Sequence, residues 1–205
     1  MKRRIDIHQV NFRLAAILLS GMLILAACSG ASRKPTEAVP SNERIFAQAM
    51  LGADDLPPGW AKGTGRDREA PGAIGRSVGF HGTDDPSLSW VNVVQQVYLY
   101  PDKGSASAAY QTWVAKEFPA MREKDGWQPA PHLEYPNHAD QITIGCLPVI
   151  INGASVDSCR VVAQYQNMII IYGNLTPDRW LTNEDFRNVL LAMDRHAGEA
   201  LTPQK

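Results

Sequence analysis

The sequence predicts an α+β fold: one domain in which an antiparallel β-sheet carries helices packed on one face, in the element order α-ββα-βββα. Three observations lead there. Runs rich in Val, Ile, Tyr and Trp are separated by turn dipeptides, as antiparallel strands require. Three segments repeat apolar residues at helical spacing, and the first and last begin with capping residues. The 205 residues less a leader of 27 leave 178, enough to bury one core.

The leader is the first element. Lys2, Arg3, Arg4 and Arg13 stand against a single acid, Asp6, and Leu14 to Ala27 carry no charge. As a helix that run spans about 21 Å, short of the roughly 30 Å of a bilayer core. A basic start, a short apolar stretch and small residues at its end describe a signal peptide over residues 1–27. The run closes on Leu25-Ala26-Ala27-Cys28, which resembles the bacterial lipobox. That resemblance implies cleavage before Cys28 and acylation of Cys28 with diacylglycerol and palmitate. Several chains, at about 0.8 kcal/mol per buried methylene, anchor a protein stably where one does not. The expected location is the cell membrane, lipid-anchored at its extracytoplasmic face, with the bilayer as a partner through Cys28. Residues 28–41, with two prolines and no large apolar side chain, read as a lipidated flexible tether, and residues 42–205 as the single α+β domain. Without the leader, 16 basic and 20 acidic residues remain, and no basic stripe is present, so nucleic acid is not an expected partner.

In the domain, Ser41 caps a short helix, "NERIFAQAML", whose Ile45, Phe46 and Ala49 share one side. "DDLPPGW" (54–60) is a turn, and residues 61–75, with four glycines, are expected to be a loop. Its Gly-x-Gly follows no clear strand, so it is not read as a phosphate cradle. "RSVGFHG" and "SWVNVVQQVYLY" read as strands. In the second, Val91, Val93, Val97 and Leu99 share a face with Gln95. The other face carries Trp90, Asn92, Val94, Gln96, Tyr98 and Tyr100. Rings beside amides suit stacking and hydrogen bonding to a ligand, and they equally suit core beneath a loop or helix. Trp90, Asn92, Gln96, Tyr98 and Tyr100 are the candidate ligand-binding residues, and their solvent exposure separates the two readings. "DKGSASAAYQTWVAKEF" follows as a helix burying Tyr110, Trp113, Val114 and Phe118.

Cys146 and Cys159 are an even pair in a secreted context. Asn152-Gly153 between them favours a two-residue hairpin turn, which sets Cys146 directly opposite Cys159 at a non-hydrogen-bonded pair. There the Cα atoms approach to about 4.5 Å, and a disulfide is expected. Gln166-Asn167 makes a second tight turn, completing a meander in which Val161, Ala163, Tyr165, Met168, Ile170 and Tyr172 share one apolar face, while Arg160 and Gln164 dilute the other. Thr182 with Asp185 forms a capping box for the last helix, which buries Phe186, Val189, Leu190, Met193 and Ala197 and is expected to end at Gly198.

The segments "LGADDLPPGW", "YLYPDKGSASAAYQTW" and "VVAQYQNMIIIYG…LTNEDFRNVLLAM", together with the lipobox, resemble secreted actinobacterial lipoproteins. Similar modules are the extracellular sensor domain of mycobacterial serine/threonine kinases and lipoproteins of PsbP-like fold; the likeness spans roughly residues 42–200. It implies an extracytoplasmic binding module with a sheet-lined cleft, for an unidentified small ligand or envelope protein, and supplies no catalytic residues. The rival classes are a secreted hydrolase or metal-dependent enzyme and a structural envelope protein. The richest set of metal-type side chains is His132, Glu134, His138 and Asp140 in "HLEYPNHAD", but that spacing matches no established ligand pattern and reads as an irregular loop. His81 with Asp84 and Asp85 reads as a polar turn, and no nucleophile elbow is present. No cofactor and no catalytic residue is assigned.

Replacing Cys28 with Ser is expected to leave an unprocessed precursor that takes up no labelled fatty acid. Normal processing with continued lipid labelling of that variant would contradict the anchor.

Overall fold

Side-chain alternation decides the centre of the structure. The computed structural model describes residues 41–83, 92–124, 126–151, 153–174 and 181–202. Strand β4 (Asn92–Leu99) sends Val93, Gln95, Val97 and Leu99 to one side of the sheet and Tyr98 to the other, all of them buried. Its partner in the middle of the sheet, strand β8 (Met168–Asn174), sends Met168, Ile170 and Tyr172 one way and Ile169 and Ile171 the other, again all buried. Strands this apolar on both faces need cover on both.

The remaining strands are β1 (Trp60–Lys62), β2 (Arg66–Ala70), β3 (Ala73–Gly82), β5 (Gln128–Pro129), β6 (Gln141–Ile151) and β7 (Ala154–Tyr165). They form one open antiparallel sheet in the order β1-β3-β4-β8-β7-β6-β5, with β2 also paired to β3. Helices α1 (Asn42–Ala49), α2 (Lys103–Glu117) and α3 (Asn183–Leu201) complete the α+β fold. The sequence places helices on one face, and the structure divides them. Helices α1 and α3 cover the face of Val97, Val161, Ala163, Ile170 and Tyr172. Helix α2 lays Tyr110 and Trp113 on the face of Tyr98, Val162, Ile169 and Ile171. The reason is the apolar content of that second face: Arg160 and Gln164 flank three buried aliphatic residues, too much to leave in water.

Buried polar groups fix how the helices seat. Gln95, fully buried on β4, accepts from the Leu51 N–H at 2.8 Å and donates to the Ala49 carbonyl at 3.0 Å, holding the chain that leaves α1. Gln164, also fully buried, accepts from Gln141 at 2.7 Å and donates to the Gln166 carbonyl at 2.9 Å. Each is satisfied, as a buried amide must be.

Two further expectations need correction. Residues 61–75 are not a glycine-rich loop: they supply β2, parts of β1 and β3, and a two-residue turn at Pro71-Gly72 joining Ala70 to Ala73. The burial that would mark β2 in sequence is missing, because four of its five residues are exposed at the sheet edge. Nor does Gly198 end α3. It lies exposed on the outer side, and the helix continues because Ala197 and Ala200 remain fully buried. The capping box of Thr182 with Asp185 and the Ser41 cap of α1 are present as expected. No helix among the described residues is long and apolar enough to cross a membrane.

The β6–β7 hairpin has the expected register, Ile151 opposite Ala154 and Cys146 opposite Cys159. Gly153 has φ +81°, the left-handed region that a turn of this type demands. Cys146 and Cys159 form a disulfide across a non-hydrogen-bonded pair, with Cα atoms 4.1 Å apart and both residues in the core. Closing a loop of this size restricts the unfolded chain by about 3 kcal/mol. The Cys146→Ala/Cys159→Ala protein should therefore lose roughly that much in urea denaturation. A denaturation midpoint that neither the substitutions nor a reductant changes would show that the clip adds no stability.

Candidate functional site

Helix α2 covers only part of its sheet face. It stops at Glu117, and beyond that point no described element covers the sheet surface. The same side of each strand contributes: Arg66 and Arg68 of β2, Ser77, Gly79 and His81 of β3, Val94 and Gln96 of β4, Ile171 and Gly173 of β8, Ser158 and Arg160 of β7. These line two hollows of about 240 and 370 Å³ that share Arg68 and Val94, and together they make one groove across the strands. From β2 to β7 are four strand spacings, so the groove is about 19 Å wide from backbone to backbone.

Its walls are built by charge. In "RDREA" the strand period places Arg66 and Arg68 toward the groove and Asp67 and Glu69 away from it. Asp67 pairs with Arg76 at 3.4 Å, and Arg76 also forks onto Glu43 of α1 at 3.0 and 3.1 Å and lies over the Phe46 ring. One acid of the edge strand is thus committed to the opposite face. Arg68 donates through Nε to Ser77 Oγ at 2.9 Å. On the far wall Arg160 donates through Nη1 to Glu117 at 2.7 Å, and its guanidinium lies 5.0 Å from the Trp127 ring centroid. Glycine at 173 makes room for this, since a Cβ there would stand 3.1 Å from Arg160 Cγ. Ser158 donates to the Asn174 carbonyl at 3.2 Å, and Asn174 Oδ1 accepts from the Cys159 N–H at 2.9 Å.

The candidate ligand face separates into two parts. Tyr98 and Tyr100 are 3% and 6% exposed, so they are core beneath α2 and not a ligand surface. Tyr98 stacks on Trp113 at 4.6 Å between ring centroids, and Tyr100 accepts from the Trp113 indole at 2.8 Å. The physical reason is the position of α2, which lies over the end of the face where these rings stand. Burial also raises the Tyr98 phenol above its ordinary pKa. Gln96 is the exception: its carboxamide oxygen accepts from the Tyr98 hydroxyl at 2.8 Å, and its side chain lines the groove. Trp90 lies outside the described residues, as do the side chain of Asn92 and Cys28, the residue expected to carry the acyl anchor. Sequence reasoning missed Arg66 and Arg68, whose signal was the alternation of arginine with acid in "RDREA", hidden by reading it as loop; it placed Arg160 on this face without counting it among the site residues.

The four metal-type residues serve separate contacts. His132 and Glu134 are exposed, in and just after a short 3₁₀ turn. His138 meets the buried Asp194 of α3 through both its N–H, at 2.8 Å, and Nδ1, at 2.7 Å. Asp140 pairs with Lys103 and accepts from the Gln166 N–H. Among the described residues no three His, Cys, Asp or Glu side chains gather as a metal site. Near Asp194, burial pushes the Tyr135 phenol up to about 12 and that of Tyr165 higher still, so both stay neutral at physiological pH.

The fold is similar to that of the extracellular domain of PknH from Mycobacterium tuberculosis, with a TM-score of 0.52, 10% sequence identity, and coverage of 78% of this chain and 99% of that one. The loose resemblance to mycobacterial kinase sensor domains read from the sequence therefore holds for the architecture. No protein-family model and no curated protein matches the sequence.

Asp140 provides a pH test of the contacts that replace a metal site. The Lys103 ammonium first, and the Gln166 N–H second, hold its carboxyl below its ordinary value of 3.8. A carboxyl depressed in the folded state adds stability above its unfolded value, and that stability is lost as pH falls through the folded value. Asp140→Asn should therefore lower the urea midpoint at pH 6, with the deficit shrinking steadily below pH 3.8. A deficit of equal size at pH 6 and pH 3 would show that the charge of Asp140 is not what stabilises.

Proposed function

We propose that this protein is an extracytoplasmic, sensor-like binding module, tethered to the cell membrane by acylated Cys28, which takes a ligand in the groove across β2, β3, β4, β8 and β7. The observation that carries this reading is the groove itself: an uncovered stretch of otherwise helix-covered sheet, lined by arginines, an amide and hydroxyls. Ligand sites are concave and combine a framework with a few convergent polar groups, and here a sheet scaffold supplies that combination. Arg68, Gln96, Ser158 and Arg160 make the polar contacts, Gly79 keeps the floor low enough for a ligand to reach backbone, and Gly173 seats the stem of Arg160. The similarity of fold to a kinase's extracellular domain supports a receiving role over a catalytic one. The disulfide supports an oxidising compartment. The lipobox over Leu25–Cys28 supports the anchor, with residues 1–27 removed, residues 28–41 as tether and residues 42–205 as the binding domain.

Native mass spectrometry of the anchor-free chain, recovered after exposure to an extract of its host's envelope, tests the reading. A retained small ligand or envelope component is expected, and Gln96→Leu should reduce its retention at least about tenfold in a protein that still unfolds cooperatively, with a melting temperature lowered by the Tyr98 hydroxyl left without its acceptor. An unliganded wild-type protein, or a Gln96→Leu protein that retains the same ligand equally, would remove the groove from the account.

A further inference from the structure

We propose that the groove selects anionic ligands: an extended molecule bearing carboxylate or phosphate groups toward both ends, held between Arg68 on one wall and Arg160 on the other. This rests on the groove being the ligand site and specifies what that site accepts. The chain as a whole is slightly acidic, with a net charge of −1, yet the described groove residues include Arg66, Arg68 and Arg160 against one acid, Glu117. Strand alternation produces that excess by sending Asp67 and Glu69 to the other face.

The two walls are prepared for planar anions. Arg68 spends Nε on Ser77, which orients the guanidinium and leaves the Nη1 and Nη2 donors for a ligand. Arg160 spends Nη1 on Glu117 and rests on the Trp127 ring, which holds its plane, while 39% of its side chain stays exposed. A guanidinium so oriented offers paired N–H donors that match carboxylate or phosphate oxygens. Gln96 lies between the walls with its oxygen committed to Tyr98, so its amide group presents N–H donors. A neutral sugar would call for an open ring on which to stack, and among the described residues the rings at the groove are already covered. Phe80 at the groove is 1% exposed, and the Trp127 face carries Arg160. Glu117, 12% exposed at the end of α2, occupies Arg160 as an incoming acid group would, and so lowers affinity until that group arrives.

The test uses triglutamate and tripolyphosphate as anionic probes and triglutamine as the neutral one, titrated into the anchor-free protein while the Arg Nε–Hε signals of Arg68 and Arg160 are followed by NMR. At least one anionic probe should shift both signals to saturation, and which probe binds more tightly distinguishes carboxylate from phosphate recognition. Triglutamine should shift neither. Raising NaCl from about 50 to about 500 mM should weaken binding at least about tenfold. Arg68→Gln, at an exposed edge strand where folding is not at stake, should weaken it about tenfold, and Glu117→Gln should strengthen it about threefold. Arg187→Gln, on exposed α3 against the other sheet face, should change nothing. Equal binding of triglutamine would overturn anion selection and leave a ligand groove standing. Silence of both arginine signals toward both anions, or an equal loss in Arg187→Gln, would overturn the proposal outright.

Discussion

The pairing of β4 with β8 is the constraint on which the rest depends. It joins two antiparallel halves of the sheet through seven residue pairs, from Val93 opposite Asn174 to Leu99 opposite Met168. Because successive side chains point to opposite faces, this register decides which residues meet α1 and α3 and which meet α2. A slip by one residue would set Val97 opposite Ile169 or Ile171, so that one of the two strands would turn its apolar set onto the wrong face and neither core would match its helices. Asn167, in the turn before β8, pins the end of β4: its carbonyl accepts from the Tyr100 N–H at 2.9 Å and its side-chain amide donates to the Tyr100 carbonyl at 2.9 Å, which leaves little freedom for such a slip.

From that register the open groove follows. Helix α2 packs where Tyr98, Val162, Ile169 and Ile171 present apolar surface, and it stops where the same face turns to Gln96, Arg160 and Gly173. Cover ends where burial no longer favours it. The ion pair of Glu117 with Arg160 closes this boundary, placing a cation beside the carbonyl end of the helix, where the helix dipole favours positive charge. On the opposite face helices α1 and α3 are tied down by buried polar groups. There Gln95 ties the exit of α1 to the central strand, and Asp194 of α3 holds His138 and the segment before β6. Satisfied buried polar groups of this kind specify one arrangement of helix on sheet, because any other leaves a buried amide or carboxylate without partners.

Similarity of fold to a kinase extracellular domain at 10% identity describes a scaffold and no chemistry. The chemistry belongs to this chain's own residues: an edge strand that turns its two arginines to the groove and its two acids away, an arginine stacked on Trp127, and a glycine beneath that arginine. Functions graft onto folds through such details, so the proposed ligand chemistry rests on the arginines of the groove and not on the architecture.

Local rules settled much of this protein. Asn152-Gly153 set a hairpin register from which the facing of Cys146 and Cys159 follows by counting, and the Thr182–Asp185 box started α3 at the residue expected. The apolar face from Val161 to Tyr172 was legible because period two and tight turns are properties of the chain itself. Tertiary structure decided the rest. Strand β2 is held by backbone pairing to β3 and not by burial, so its exposed charges carried no strand signal. Gly198 stays helical because Ala197 and Ala200 are buried against neighbours distant in sequence. Tyr98 and Tyr100 are core because α2 lies over them, and Arg68 and Arg160 share a groove because four strand pairings place β2 and β7 on the same open face. Sequence records a residue's own preferences; which surface another element covers is set by the balance of burial over the whole fold, and the site lies where that cover ends.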